Sequence, residues 1–371
     1  MSLPAVILVG GEGTRLRPLT ARRPKPMLPL VDRPLLAYTF EHLRRHGVGA
    51  AVLSCGYMPT QIREHFGDEV EGMSLAYCVE ERPLGTGGAI GYAARELGET
   101  FLALNGDSLR AADLSELVRF HRERGAKATI LLTPVADPTR YGLVRVRPDG
   151  AVQSFLEKPR PEEIDTDLIN AGVYVLEPEV LDLIPPGRTV SIEREVFPRL
   201  VEDETVFGLA LPGYWLDVGT PESYLQAHRD VLERNLPTDV GDALGRDYTF
   251  VDPTAEVSPD ARLVPPVYVG PEAVVEAGVR VGSLGVVGRG ARIGEGAAVE
   301  HAVIQRRATI GAGCSVTRSI IGEEAELGPG CRVHGLSVVG PGARVGQRNT
   351  LDAGLRVAAD AAVPPDALFF P

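Results

Sequence analysis

Two different periodicities divide the chain. From residue 4 to about 240, short apolar runs alternate with amphipathic stretches: "AVILV" precedes "PLLAYTFEHLRRHGV", then come "AAVLSCGY", "PTQIREHFGD" and "LAYCVEE". Strands alternating with helices predict an α/β domain with a mostly parallel sheet covered by helices on both faces, and ligands in such sheets bind at the carboxyl ends of the strands. From about residue 250 the period becomes six. Aliphatic residues recur from Val251 to Val299, from Ile304 to Val316 and from Ile321 to Val363, twenty positions in all, with steps of five after Val299 and Val316. A glycine often follows. This hexapeptide repeat predicts a left-handed parallel β-helix, each aliphatic side chain filling a narrow prism and the next residue turning the corner. The expected domains are 1–240 and 250–371, joined by a helix and linker over 228–245.

Composition narrows the class. No stretch reaches eighteen uninterrupted apolar residues, and no basic region precedes the apolar run near Met1, so a cytoplasmic protein without a membrane span is expected. Cys55, Cys78, Cys314 and Cys331 have no CxxC spacing, which favours buried thiols over zinc or disulfides. A net charge of −12 argues against a nucleic-acid partner. A phosphate ligand would therefore need a local cationic site. Of 38 basic residues only three are lysine, at 25, 127 and 158. In a chain that chooses arginine so heavily, each lysine raises the question of what arginine could not do there.

Candidate chemistry begins where the first apolar run ends, in "GGEGTRLRPLTARRPKPMLPL". Gly10, Gly11 and Gly13 let backbone N–H groups approach an anion without a Cβ in the way. The spacing is neither GxxxxGK[ST] nor GxGxxG, because Thr14 and Arg15 follow. Asp107 in "FLALNGD" and Asp217 in "GYWLDVGT" end apolar runs, where a carboxylate is costly unless a cation meets it; a helix N-cap or turn is the plain alternative for either. Glu80 and Glu81 are adjacent acids in "VEERPLG", and one carboxylate could accept from N1–H and the N2 amino group of guanine together. The pattern does not say which of the two points inward.

The loop resembles the signature of the sugar-phosphate nucleotidylyltransferases, which join a sugar 1-phosphate to a nucleoside triphosphate and release pyrophosphate. Further matches follow in order: "EERPLGTGGAI", "LNGDSL", "YGLVRV", "FLEKP", "INAGVYVL", "SIEREVFPRL" and "YWLDVGTPESYLQA". The resemblance implies a Rossmann-like nucleotidyltransferase domain with the β-helix as its tail. It makes Arg15, Lys25 and Lys158 the phosphate-handling cations, and Gly10, Gly11, Gly13, Thr14, Glu80 and Gly85 the nucleotide contacts. Gly142, Glu157, Lys158 and Asn170 become the sugar-phosphate contacts, with Asp107 and Asp217 as ligands of Mg²⁺. Within the family the match runs furthest with members that pair GTP with mannose 1-phosphate; glucose 1-phosphate with dTTP, UTP or ATP is the alternative.

A non-catalytic regulatory relative is the rival from another class, yet such a protein has no use for Arg15, Lys25, Asp107, Lys158 and Asp217 at once. His301 and His334 in the repeat region invite an acyltransferase reading that no second substrate motif accompanies. The flat faces of the repeat suit a homo-oligomer.

Overall fold

The structure is a computed structural model that describes residues 3–157 and 159–369. It contains two compact units, one of residues 1–11 and 38–215, the other of residues 12–37 and 216–371. The change of period near 250 therefore does not mark where the compact units divide. The stretch carrying Arg15 and Lys25 belongs to the same unit as the repeats.

The first unit is built on a ten-stranded mixed sheet. Its elements in chain order are β1 (Ala5–Leu8), α1 (Leu35–Arg45), β2 (Ala50–Cys55), α2 (Pro59–Phe66), β3 (Met73–Val79), α3 (Gly85–Ala93), β4 (Phe101–Asn105), α4 (Leu114–Arg124), β5 (Ala128–Pro134), β6 (Gly142–Val146), β7 (Val152–Glu157), β8 (Leu168–Leu176), α5 (Phe197–Glu202) and β9 (Val206–Ala210). The spatial order β7–β6–β8–β4–β1–β2–β3 is completed by β5 paired to β8, by β9 paired to β5, and by the short strand Glu69–Val70 at the other edge. Strands β3, β2, β1 and β4 are parallel, as the apolar runs predict. Strands β7 and β8 run against them. β1 is buried at Ala5, Val6 and Ile7, since a parallel strand has no solvent face. α3 packs on β1 and β2, and α4 on β5 and β9. α4 begins where the Asp113 carboxylate accepts the N–H groups of Ser115 and Glu116 at 2.9 and 3.1 Å.

The repeats form three parallel sheets that close into a β-helix. Val251, Val269, Val287, Ile304, Ile321, Val339 and Val357 stack in one sheet, and Val257 to Val363 and Leu263 to Leu351 form the other two columns. All twenty aliphatic positions read from the sequence lie in these columns. Both five-residue steps fall at one corner, between the third sheet and the next turn of the first. The coils Val287 to Ile304 and Ile304 to Ile321 are each one residue short there. The missing residue comes out of the corner, so the aliphatic columns stay in register. His301 and Arg318 take the left-handed conformation at these tight corners. Neither histidine of the repeats is paired with another candidate catalytic group among the described residues.

Ahead of the coils, α6 (Pro221–Leu232) starts at the Thr220 hydroxyl, which accepts the Ser223 N–H at 3.2 Å. Buried Tyr224 on this helix donates its hydroxyl to the Pro29 carbonyl and accepts from Gln305 Nε2 at 3.0 Å. One side chain thus joins the loop segment, the helix and a coil.

Candidate functional site

The candidate residues fall into two sets, one in each unit. In the second unit the chain enters the loop through Gly13, in the left-handed region at φ +61°, and continues as a short 3-10 turn over Thr14–Leu16. A Cβ on Gly13 would lie 2.9 Å from the Lys25 Cβ, so glycine is needed for both its backbone and its size. The N–H groups of Glu12, Gly13, Thr14 and Arg15 donate to no other group among the described residues. They form the kind of cradle that receives phosphate oxygens.

Asp217 organises the cations beside this cradle. Its Oδ1 lies 3.4 Å from Lys25 Nζ and its Oδ2 lies 3.6 Å from Arg15 Nη2. The three side chains differ sharply in exposure: Lys25 6%, Asp217 26% and Arg15 68%. Lys25 is a fixed buried charge, and Arg15 reaches into solvent. The two cations flank one carboxylate beside the N–H groups, an arrangement that offers donors and positive charge to a polyphosphate. Gly219 is a residue that the motif reading passed over. A Cβ there would sit 2.7 Å from Arg15 Nη2 and 2.9 Å from Asp217 Oδ2, so this glycine makes room for the pair. Its signal was the "DVGT" of the motif itself.

In the first unit, β1 leads into Gly10 and Gly11. Gly11 is exposed, with open space where a Cβ would be. Glu80, just after β3, is the inward acid of its pair. Its Oε1 accepts from Ser54 Oγ at 2.9 Å and its Oε2 from the Leu84 N–H at 3.0 Å, while Glu81 is exposed. Each oxygen keeps a second lone pair. The carboxylate therefore braces the turn before α3 and can still accept from a base edge. Gly85, at the start of α3, has a packing reason of its own, because a Cβ there would meet the Val190 carbonyl oxygen at 2.6 Å.

Asp107 follows β4, whose end is held by the Gly106 N–H donating to Leu8 O at 2.9 Å. Nearby Arg110 is buried and was not singled out from the sequence; nothing in "LNGDSLR" sets it apart from a surface arginine. Burial lowers its guanidinium to about 10 and the field of Asp107 opposes this, so the guanidinium stays protonated near neutral pH.

Sheet register gathers the sugar-phosphate motifs. Gly142 on β6 lies opposite Glu157 on β7, and Leu143 lies opposite Ile169 on β8, which brings Asn170 alongside. The Glu157 side chain and Lys158 lie outside the described residues. Asn170 Oδ1 accepts the Gly172 N–H at 2.9 Å, and its Nδ2 donates to Tyr174 Oη at 2.9 Å. Tyr174 in turn donates to Glu193 at 3.2 Å, and Glu193 also takes the hydroxyls of Thr86 and Ser191. Trp215 donates Nε1 to Ala171 O at 3.0 Å and meets Tyr141 edge-on, so it props the Asn170 strand.

Loop N–H groups with Arg15, Lys25 and Asp217 in one unit, and Glu80 with strand-end Asp107 in the other, are the features of a nucleotidyl-transferring class. The family model described as nucleotidyl transferase matches residues 4–234, and the chain belongs to that family. A second model, described as GMPPB C-terminal domain, matches residues 265–357. Among particular relatives, the chain is 42% identical over 260 residues to a mannose-1-phosphate guanylyltransferase of Mycobacterium tuberculosis, covering 68% of this chain and 72% of that one. It is 37% identical over 281 residues to a probable mannose-1-phosphate guanylyltransferase 2 of Arabidopsis thaliana, covering 71% and 76%. Among solved structures, HddC from Yersinia pseudotuberculosis complexed with GMP-PN superposes with a TM-score of 0.53 at 29% identity, over 62% of this chain and 99% of that one.

Proposed function

We propose that the protein is a mannose-1-phosphate guanylyltransferase, joining GTP to mannose 1-phosphate to give GDP-mannose and pyrophosphate. The observation that carries this reading is the sharing of Asp217 by Arg15 and Lys25 beside four undirected N–H groups, a cationic, donor-rich site suited to a polyphosphate. The names of the relatives support the choice of GTP and mannose 1-phosphate, and so does an inward carboxylate at Glu80 with lone pairs to spare.

In this mechanism a phosphate oxygen of the sugar 1-phosphate attacks the α-phosphorus in line, and the pyrophosphate oxygen leaves on the opposite side. The nucleophile is already anionic near neutral pH, because the second phosphate pKa is about 6, so no protein base is required. Arg15 and the loop N–H groups bind the departing oxygens, and their attraction grows as charge develops there. Lys25, fixed by burial, neutralises charge between phosphates without moving. Gly142 and Asn170 orient the sugar, with Glu157 and Lys158 assigned to its hydroxyls and phosphate.

Mg²⁺ belongs to the same proposal. Asp107 and Asp217 offer hard carboxylate oxygens. Such a sparse donor set fits an ion that completes its shell with water and phosphate. When bound, it would withdraw charge from the phosphate oxygens. Free, largely buried cysteines suit a reducing cytoplasm, and the flat β-helix faces suit a homo-oligomer.

Pyrophosphate release measured for GTP, dTTP, UTP and ATP, each with mannose and glucose 1-phosphates, tests the reading. Turnover is expected with GTP and mannose 1-phosphate. Silence there with turnover of another pair removes the specificity and keeps the reaction class.

A further inference from the structure

We propose that Arg356, on the last coils of the β-helix, is a positioning residue for nucleotidyl transfer: it holds the backbone of the loop that presents Arg15. Arg356 Nη1 donates to the Arg15 carbonyl at 3.0 Å and to the Arg17 carbonyl at 2.9 Å, across 341 and 339 residues of sequence. The inference rests on the reading that Arg15 handles the triphosphate.

The loop needs such a holder. Its short turn has no side-chain cap, and Arg15 itself is mostly exposed, 3.6 Å from its nearest carboxylate. Cationic donors to carbonyl oxygens make stronger hydrogen bonds than neutral ones, and one nitrogen with two protons bridges both ends of the turn. The segment just beyond is tied to the same coils by opposite charges. Arg22 pairs with Asp360 and lies 3.8 Å from Glu324, and Arg23 pairs with Glu323, which is buried and also takes Arg306. These pairs fix the segment as a whole. Arg356 is the contact that acts on the peptide of residue 15 itself. A displacement of the guanidinium by a fraction of an ångström is enough to weaken an interaction made in the transition state.

The test is a double-mutant cycle in the full-length enzyme, read by steady-state pyrophosphate release and thermal unfolding. Arg356→Ala is expected to lower kcat by about 10-fold, with KM for the sugar phosphate and the unfolding midpoint unchanged. Arg344→Ala, which removes an exposed arginine of the same coils facing Glu326 at 3.8 Å, should leave kcat within about two-fold. In an Arg15→Ala background, Arg356→Ala should cost less than about two-fold more, because its effect passes through Arg15. If Arg356→Ala unfolds, Arg356→Gln, with the stem kept, takes its place in the same cycle. A kcat within two-fold of the parent, or losses that add in the double variant, overturns the proposal. Undiminished activity of Arg15→Ala alone instead overturns the functional reading beneath it.

Discussion

Lys25 and Asp217, 192 residues apart in sequence, lie 3.4 Å apart with the ammonium almost fully buried. A buried ammonium is costly unless its partner is fixed, so the pair is preformed before any phosphate arrives. Lys25→Ala is expected to lower kcat/KM for GTP by about two to three orders of magnitude. Lys25→Arg should recover little, because a side chain only 6% exposed leaves little room for a broader, planar head. Steady-state kinetics of both variants checks the point, and full activity of the arginine variant would refute it.

Asp107→Asn keeps shape and loses charge. Turnover should fall below detection while circular dichroism stays that of the parent; the thermal midpoint should drop modestly, because buried Arg110 loses the field of the carboxylate. Near-normal activity would remove Asp107 from the metal assignment. Titration of Mg²⁺ in the same assay should show a dependence that the variant has lost.

At Gly13 an alanine must adopt φ near +61° and press on Lys25. The left-handed conformation alone costs about 1–2 kcal/mol. Gly13→Ala should therefore lower the urea midpoint and raise KM for GTP together, whereas Gly11→Ala, with open space at its Cβ, should leave the midpoint unmoved.

His42 and His228 set an acid limit on stability. Burial lowers both to about 3, and His228 Nδ1 accepts the Val31 N–H at 3.2 Å, a role only the neutral ring can play. Below pH 6.5 the unfolded chain binds protons that the folded chain refuses, so stability present above pH 6.5 is lost progressively down to about 3. Each group contributes a slope of about 1.4 kcal/mol per pH unit in that window. Urea unfolding from pH 7.5 to 5 should show this decline. His228→Asn, which can still accept from Val31, should flatten it by about one proton's worth.

Tyr224→Phe removes a hydroxyl that serves both the Pro29 carbonyl and Gln305. Two buried polar groups then lose their partner, at about 1–3 kcal/mol each. A drop in the unfolding midpoint, with KM for mannose 1-phosphate unchanged, is the expected result.

Much of this was legible in the sequence because it depends on period and spacing. Six-residue repetition specifies three columns of aliphatic side chains, and every one of the twenty positions entered a column. The strand at Ala5–Leu8 follows from local pattern. What sequence could not convey was convergence. Glu80 and Glu81 are equivalent as letters, and only the Ser54 hydroxyl and the Leu84 N–H distinguish them. Arg110 reads as a surface arginine until its burial is seen, and Gly219 reads as a turn until Arg15 is placed against it. The short corners after Val299 and Val316 gained their meaning only when both proved to lie at one edge of the prism.

The loop that carries Arg15 and Lys25 shares a compact unit with coils that begin more than two hundred residues later. A chain cut near residue 245 would keep Tyr224 and Asp217 but strip that loop of Arg356 and of the carboxylates that hold Arg22 and Arg23. Grafting the β-helix of one relative onto the sheet of another is likewise no neutral exchange. The tail must be inherited together with the segment it supports, so recombination between such genes succeeds only where both pieces travel as a pair.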